Sequence, residues 1–337
     1  MSKDTPIMTA LILALLVLAA AGLGCGPPAD TGTPTGEPAP PLPAPYAKQV
    51  AFSLCEDYDK GQDLEYIAGD FELVKSLGID TMRVSFGWDD YEPEEDEYDF
   101  EWLHQFCELA EKHGITLRPY ICYAPGWAVD GGWNSPPKDY QDWYDFCYKL
   151  AEALKVHPNI ASYEIWNEED GEMWFDGTVE QFKELLKQGS LAIRAADPDK
   201  EILLGGFTQP ADDLLLEIVS DGYGQYYDIL PIHCYSETWG WPPGPVEEYL
   251  KGEAYRWFVD HNRSMGDNKP IWINEIGYST MRRSEKQQAD FMCRAVAHLF
   301  SIADIVHIGW DEIRDLDPGV QPIGDSHNYP LGITKFP

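Results

Sequence analysis

The chain has 337 residues, of which 44% are hydrophobic and 24% charged, enough for one large globular domain or two small ones. Its 58 acidic and 24 basic residues give a formal net charge of −34. Because a field of this sign repels phosphate backbones and anionic lipid headgroups, the composition argues against nucleic acid as a partner and against a polyanionic substrate.

The first 25 residues have the features of an export signal. Lys3 precedes an apolar run from Ile7 to Gly24, and Cys25 follows it directly. The tetrapeptide GLGC that ends at Cys25 resembles a bacterial lipobox, whose cysteine becomes the lipidated first residue. We therefore expect a lipoprotein-type signal peptide, lipidation at Cys25, and a cell-surface or periplasmic location with a lipid anchor in the membrane. The alternatives are a secreted protein and an uncleaved anchor, since about 18 apolar residues can just span a bilayer.

Residues 26–45 form a second segment without apolar periodicity, and eight of these twenty residues are proline. Proline-rich chains of this kind are extended and semi-rigid. We interpret the segment as a linker that holds a folded domain, residues 46–337, away from the membrane.

Within residues 46–337, short apolar runs alternate with amphipathic stretches. The runs predict strands at Val50–Cys55, Thr81–Phe86, Thr116–Tyr120, Ala161–Trp166, Ile202–Gly205, Ile229–His233, Ile271–Asn274 and Ile305–Trp310. Helical spacing of apolar residues predicts helices at Leu64–Leu77, Trp102–His113, Tyr140–Lys155 and Val179–Ala196. Ser284 and Gln287 resemble a capping box that begins a further helix through Phe300.

Eight strands separated by seven helical segments indicate parallel pairing through crossovers. A doubly wound sheet would normally carry a glycine-rich phosphate loop after an early strand, and the sequence has none. A (β/α)8 barrel, or TIM barrel, needs about 250 residues and fits residues 46–337. Because only 27 residues follow Trp310, and they include the turn-like DLDPG, we expect the last helix to be short, replaced or truncated.

In such a barrel the active groups lie at the carboxyl ends of the strands. The fourth predicted strand leads into Asn167 and Glu168, and the seventh ends at Asn274 and Glu275. Cleavage of a glycosidic bond needs two carboxyl groups, one to protonate the leaving oxygen and one to attack the anomeric carbon or activate water. The pair Glu168 and Glu275 therefore predicts a glycosidase.

Residues 48–312 resemble clan A of the glycoside hydrolases, the retaining (β/α)8 enzymes with catalytic glutamates on strands four and seven. The most specific segments are YEIWNE at 163–168, MWFDGT at 173–178 and AIRAADPDKEILLGG at 192–206. They are similar to glycoside hydrolase family 39, which contains β-xylosidases, and family 5 is a near alternative. The resemblance implies double displacement at an O-glycosidic, β-configured bond of a neutral oligo- or polysaccharide.

The resemblance also implies roles for individual residues. Glu168 would be the acid/base and Glu275 the nucleophile, while Asn167 would hold the sugar 2-hydroxyl. The remaining site residues are Arg83 and Tyr235 beside the nucleophile, His233 at the family's strand-six histidine, and Trp310 as the floor of the −1 subsite.

Physical chemistry adds to these assignments. Arg83 is a fixed cation, so it would keep a nearby carboxylate ionised, or it could form a structural ion pair with Glu164. His233 fits an orienting residue better than a general base. Aromatic residues make up 13% of the chain, an excess that suits a site for flat sugar rings. Trp127 lies on the loop after the third strand and belongs to a set of loop tryptophans that could stack on sugars.

Six cysteines remain in residues 46–337, and most lie within predicted strands or helices without a disulfide framework spacing. We expect most of them to be free, buried thiols. No CxxC motif or histidine-rich cluster suggests a metal ligand set, so we expect neither metal nor cofactor.

Three other functions are compatible with parts of this pattern. A non-catalytic carbohydrate-binding lipoprotein would need the aromatic residues but not both carboxylates. A transglycosylase would use the same residues, with a sugar in place of water. A metal-dependent barrel hydrolase would need converging histidine and aspartate ligands, and only His233 qualifies.

Overall fold

The structure is a computed structural model. It describes residues 50–208, 212–238, 245–249, 259, 260, 263, 264, 267–302, 304–319, 326–328 and 330–335. The predicted signal peptide, Cys25 and the proline-rich linker lie outside the described residues.

Eight parallel strands form one sheet, in which strands that follow each other along the chain are neighbours. They are β1 (Ala51–Cys55), β2 (Thr81–Phe86), β3 (Thr116–Ile121), β4 (Ser162–Ile165), β5 (Glu201–Leu204), β6 (Leu230–His233), β7 (Ile271–Ile276) and β8 (Ile305–Asp311). β1 pairs with both β2 and β8, and parallel bridges at Leu203–Ile229 and Phe207–Ile232 join β5 to β6. The predicted (β/α)8 barrel is therefore confirmed.

The helices lie between the strands and bury one face against the barrel. The described helices are α1 (Leu64–Ser76), α2 (Trp88–Tyr91), α3 (Glu101–Lys112), α4 (Tyr140–Leu154), α5 (Val179–Ala196), α6 (Asp212–Ser220), α7 (Val246–Tyr249) and α8 (Glu285–Ser301). Capping boxes begin α5 at Thr178 and α8 at Ser284, where each side chain bonds the backbone of the glutamine three residues on. Three helices had no predicted range: α6, and the short helices α2 and α7, in which four residues carry too little periodicity.

The segment after β8 differs from the preceding units. Among its described residues, 312–319, 326–328 and 330–335, the helical part is one short 3-10 turn at Ser326–Asn328. A parallel bridge between Arg314 and Thr334 folds this segment back on itself. A short or replaced last helix is thus confirmed for the part of the chain that the structure describes.

The interior of the barrel is filled by large and polar side chains in layers. Near the amino ends of the strands, the Trp272 ring stacks on His307 with 4.2 Å between ring centroids, and the Arg118 guanidinium lies 4.6 Å from the Trp272 centroid. The Ser53 hydroxyl lies 2.8 Å from His307 Nε2. This layer closes the bottom of the barrel, so the space for a ligand lies at the carboxyl ends of the strands.

All six cysteines among the described residues are thiols rather than disulfides, and five of them are buried, as the sequence predicted. None of the described helices combines the length and the apolar character that crossing a bilayer requires.

Candidate active site

Glu168 and Glu275 meet at the carboxyl end of the barrel, one after β4 and the other within β7. A carboxylate oxygen of Glu168 lies within 4.8 Å of one of Glu275. Glu168 is buried and Glu275 is partly exposed. The two carboxylates predicted from the strand ends are therefore brought together.

Local backbone irregularities turn consecutive side chains toward the same space. Side chains of a regular strand alternate between its two faces, so neighbouring residues would point apart. The pairing register between β7 and β8 shifts between Ile273 and Ile276, and both Asn274 and Glu275 reach the barrel interior. After β4, the positive φ of 52° at Glu168 bends the chain in a similar way.

Arg83 on β2 joins the two sides of the site. Its Nη1 donates to Glu275 Oε2 at 2.7 Å, and its Nε and Nη2 donate to the two oxygens of Glu164 at 3.1 and 3.0 Å. Glu164 also accepts from Asn274 Nδ2 at 2.8 Å and from the Gly206 amide at 3.2 Å. The buried guanidinium thus has two carboxylate partners, a deep structural one and the one in the cleft.

Asn167 is held between Arg83 and an aromatic group. Its Oδ1 accepts from Arg83 Nη2 at 2.7 Å, and its Nδ2 donates to the Tyr123 hydroxyl at 3.2 Å. The Tyr123 ring contacts Trp133 edge-on at 4.5 Å and stacks on Trp174 at 6.2 Å. Trp133 is 39% exposed, so this aromatic group borders the cleft beside the predicted sugar-binding asparagine.

His233 at the end of β6 lies between the two carboxylates. Its Nδ1 is 2.7 Å from Glu168 Oε1, and its Nε2 is 3.5 Å from Glu275 Oε2. The ring fits because residue 206 is glycine, where a Cβ atom would lie 2.1 Å from His233 Nε2. The imidazole therefore orients Glu168 and places a second nitrogen beside Glu275.

The surroundings shift the two carboxyl groups in opposite directions. Burial raises the pKa of Glu168, and the nearby His233 only partly offsets this. Burial alone would also raise the pKa of Glu275, but His233, Arg83 and the Tyr235 hydroxyl outweigh it and lower that pKa. For His233, burial lowers the pKa, and the two carboxylates reverse the direction and raise it. The surroundings thus favour a proton on the Glu168–His233 pair and the ionised form of Glu275.

Tyr235 and Asp311 complete the site on the side of Glu275. The Tyr235 hydroxyl lies 2.5 Å from Glu275 Oε1 and 2.8 Å from Asp311 Oδ2. Tyr235 was predicted beside the nucleophile, whereas Asp311 was not predicted as a site residue. The sequence signal for Asp311 was its position at the end of the eighth strand, directly after Trp310.

Trp310 does not lie where the resemblance implied. Its ring is fully buried and packs against Phe291 of α8, with 6.1 Å between ring centroids. Because side chains alternate along β8, Asp311 faces the barrel mouth and Trp310 faces the helix layer. A ring with no exposed surface cannot form the floor of a subsite, so this expectation is corrected.

The contacts that the structure describes for Trp127 are with the segment after β2. Its Nε1 donates to the Glu92 carbonyl at 3.0 Å, and its ring contacts Trp88 edge-on at 5.8 Å. These contacts fix it against α2 and the loop that follows. Its half-buried ring belongs to the rim on the side of β2 and β3.

Three groups could offer ligand atoms to a metal ion. Glu168, His233 and Glu275 bring one ligand atom each within 4.8 Å of the others. The same atoms, however, are hydrogen-bonded to one another and to Arg83, whose cation lies 2.7 Å from Glu275. A guanidinium at this distance repels a second cation, so the arrangement fits proton transfer and nucleophilic attack better than metal binding.

Comparison with known proteins assigns the family. The family model for cellulase, glycosyl hydrolase family 5, matches residues 51–313, which span the whole barrel. The chain belongs to glycosyl hydrolase family 5. Clan A is thereby confirmed, and the matching model is that of the family expected as the near alternative to family 39.

Solved structures of glycoside hydrolases share the fold of this chain. A family 39 glycoside hydrolase from Bacteroides cellulosilyticus WH2 shares 18% identity at a TM-score of 0.68, over 86% of this chain and 60% of its own. The exo-β-1,4-mannosidase Op5Man5 from Opitutaceae bacterium strain TAV5 shares 20% identity at a TM-score of 0.69, over 85% and 56% of the two chains.

Among curated proteins, a β-xylosidase from Phanerodontia chrysosporium is 26% identical over 65% of this chain and 47% of its own length. The β-galactosidase BgaP from Planococcus sp. is 28% identical over 36% of this chain and 22% of its own length. The family 5 chain thus spans about a fifth to a half of the length of these relatives.

Proposed function

We propose that this family 5 protein is a retaining β-glycosidase that uses Glu275 as nucleophile and Glu168 as acid/base. The observation that carries the proposal is the separation of the two carboxylates, with oxygens within 4.8 Å of each other. Retaining enzymes hold their carboxyl groups about 5–5.5 Å apart, whereas inverting enzymes leave about 6.5–9.5 Å for a water molecule. The opposite pKa shifts of the two groups match the two roles.

In the first step, a carboxylate oxygen of Glu275 forms a bond to the anomeric carbon while the bond to the leaving oxygen breaks. Glu168 transfers its proton to that leaving oxygen, so the aglycone departs as a neutral alcohol. In the second step, Glu168 takes a proton from water as the water oxygen attacks the anomeric carbon. The ester bond to Glu275 breaks in the same displacement, and both carboxyl groups return to their starting states.

The neighbouring side chains support these steps electrostatically. Arg83 and the Tyr235 hydroxyl stabilise the negative charge of Glu275 before attack. Asn167 is fixed by Arg83 and Tyr123, which suits a residue that must hold a sugar hydroxyl in one orientation. Because these partners are in place before substrate binds, little reorganisation is needed at the moment of reaction.

A neutral saccharide with a β linkage is the substrate class that we propose. The relatives include a β-xylosidase, β-galactosidases and a β-1,4-mannosidase. The aromatic group of Tyr123, Trp133 and Trp174 offers flat apolar surface next to Asn167, where the C–H face of a sugar could stack. A chain with net charge −34 favours a neutral sugar over an acidic one.

Hydrolysis with net retention is the expected result of a panel of aryl β-glycosides and β-linked oligosaccharides. Proton NMR during the first minutes should show the β anomer of the released sugar, which then mutarotates. The α anomer as first product would contradict the double displacement. An accumulating longer saccharide would instead identify transglycosylation by the same residues.

We also propose that the mature protein is an exported lipoprotein anchored through Cys25, because this cysteine ends the apolar run from Ile7 to Gly24. In a bacterial host fed with labelled palmitate, the wild-type chain should carry the label and fractionate with membranes. Cys25→Ala should lose the label, and Cys293→Ala is the control that should retain it. Continued membrane retention of unlabelled Cys25→Ala would indicate a spanning anchor instead.

A further inference from the structure

The Tyr235 hydroxyl makes two short contacts with carboxyl oxygens, although it carries a single proton. Its oxygen lies 2.5 Å from Glu275 Oε1 and 2.8 Å from Asp311 Oδ2. Both distances are those of O–H···O hydrogen bonds, so a proton must lie in each contact. The hydroxyl donates one of them, and the second must come from one of the two carboxyl groups.

The charges around the two carboxyl groups decide which of them carries that second proton. Glu275 accepts from Arg83 at 2.7 Å and has His233 Nε2 at 3.5 Å, and both cationic partners favour its ionised form. No ion pair joins Asp311 to a cation within the described ranges. Glu275 itself is an anion close to Asp311, which disfavours a second negative charge there.

We infer that Asp311 is a positioning residue that carries a proton at neutral pH and donates it to the Tyr235 hydroxyl, which commits the tyrosine proton to Glu275. The inference rests on the proposed role of Glu275 as nucleophile. Asp311, Tyr235 and Glu275 then form one directed chain of hydrogen bonds across the ends of β8, β6 and β7. The chain fixes Glu275 without placing a second negative charge beside it.

Other groups around Asp311 either raise its pKa further or lower it only in part. Burial is the main cause that raises the pKa of Asp311 to about 8, followed by the charge of Glu275. Asp57, after β1, adds to the increase, whereas the Tyr235 hydrogen bond and the charge of Arg83 oppose it. The other ionisable groups that interact with Asp311 are Glu56 and Cys55 on the side of β1, and Glu312 beside it.

The raised pKa of Asp311 sets the sign of the pH effect. Below about pH 8 Asp311 is neutral and donates to Tyr235. Above it, Asp311 becomes an anion that competes with Glu275 for the single tyrosine proton and repels the charge of the nucleophile. We therefore expect the ionisation of Asp311 to lower kcat/KM on the alkaline side.

The test combines a titration with two substitutions in the full chain. In protein labelled with ¹³C at the aspartate γ-carboxyls, the NMR resonance that is absent from Asp311→Asn should titrate near pH 8. A midpoint below about pH 5 would overturn the inference whether or not the protein cleaves any glycoside. This readout separates failure here from failure of the proposed function, which the product stereochemistry decides.

Activity then tests the positioning role. Asp311→Ala removes the donor to Tyr235 and should lower kcat/KM about 2- to 10-fold, the loss expected for one hydrogen bond between neutral groups. Asp311→Asn retains an N–H donor and should recover most of that loss, without the alkaline limb due to residue 311. The matched control, Asp317→Asn on the following loop, should leave the profile unchanged. Equal kcat/KM values for the alanine and asparagine variants would overturn the positioning role.

Discussion

Replacing Glu275 with alanine is expected to lower kcat by about 10⁴-fold or more, the order of loss when a covalent nucleophile is removed. Without the carboxylate no ester to the anomeric carbon can form. The fold should persist, because Arg83 retains its two hydrogen bonds to Glu164 and one to Asn167. Steady-state kinetics on the best aryl β-glycoside measures the loss, and circular dichroism checks the fold.

Added azide distinguishes the loss of a nucleophile from a structural defect in the Glu275→Ala variant. A small anion can occupy the space of the missing carboxylate and attack from the same face, so added azide should yield the α-glycosyl azide. Loss of activity with no product in azide would leave a purely structural role open. Activity within tenfold of wild type would contradict the assignment of Glu275.

Replacing Glu168 with alanine should give a loss that depends on the leaving group. A general acid contributes about 10²- to 10⁴-fold when the leaving oxygen needs a proton, and far less when it does not. Hydrolysis of unactivated oligosaccharides should fall by this factor, whereas the first step with a dinitrophenyl glycoside should be nearly unaffected. The burst of dinitrophenol measured by stopped flow separates that step from the slow hydrolysis of the intermediate.

The same variant should respond to azide with the opposite stereochemistry from Glu275→Ala. Azide needs no general base, so it should restore turnover of the trapped intermediate and give the β-glycosyl azide. Glu169→Gln is a close control, because its carboxyl group lies against Gly205 and has no hydrogen-bond partner among the described side chains. Equal losses for activated and unactivated substrates would remove Glu168 from the acid/base role.

Much of the fold follows from local sequence patterns. The buried parallel strands appear as short apolar runs because both of their faces are covered, and the predicted limits lie within two residues of the observed ones. Helix α5 was predicted in full from the helical spacing of its apolar residues, and in the structure a capping box at Thr178 and Gln181 begins it. For the segment after β8, the sequence predicted only that the last helix would be short, replaced or truncated, because the turn residues there show no helical periodicity.

The site was harder to predict wherever one residue of register matters. On β8, a register that differs by one residue would turn Trp310 into the barrel and Asp311 toward the helices. The apolar composition of the strand does not distinguish this register from the observed one. The shift within β7, which lets Asn274 and Glu275 point into the same space, likewise leaves no mark in the sequence. The contacts of Arg83 with Glu164 and Glu275 join three distant strands, so only the closed barrel reveals that both occur together.

Trapping the covalent intermediate tests the assignment of the two glutamates most directly. The dinitrophenyl 2-deoxy-2-fluoro-β-glycoside of the preferred sugar should inactivate the wild-type enzyme, with release of one equivalent of dinitrophenol. Mass spectrometry of the proteolytic digest should then place the fluorosugar on Glu275. Its attachment to Glu168, or turnover with inversion and no labelled peptide, would contradict the roles proposed for both carboxylates.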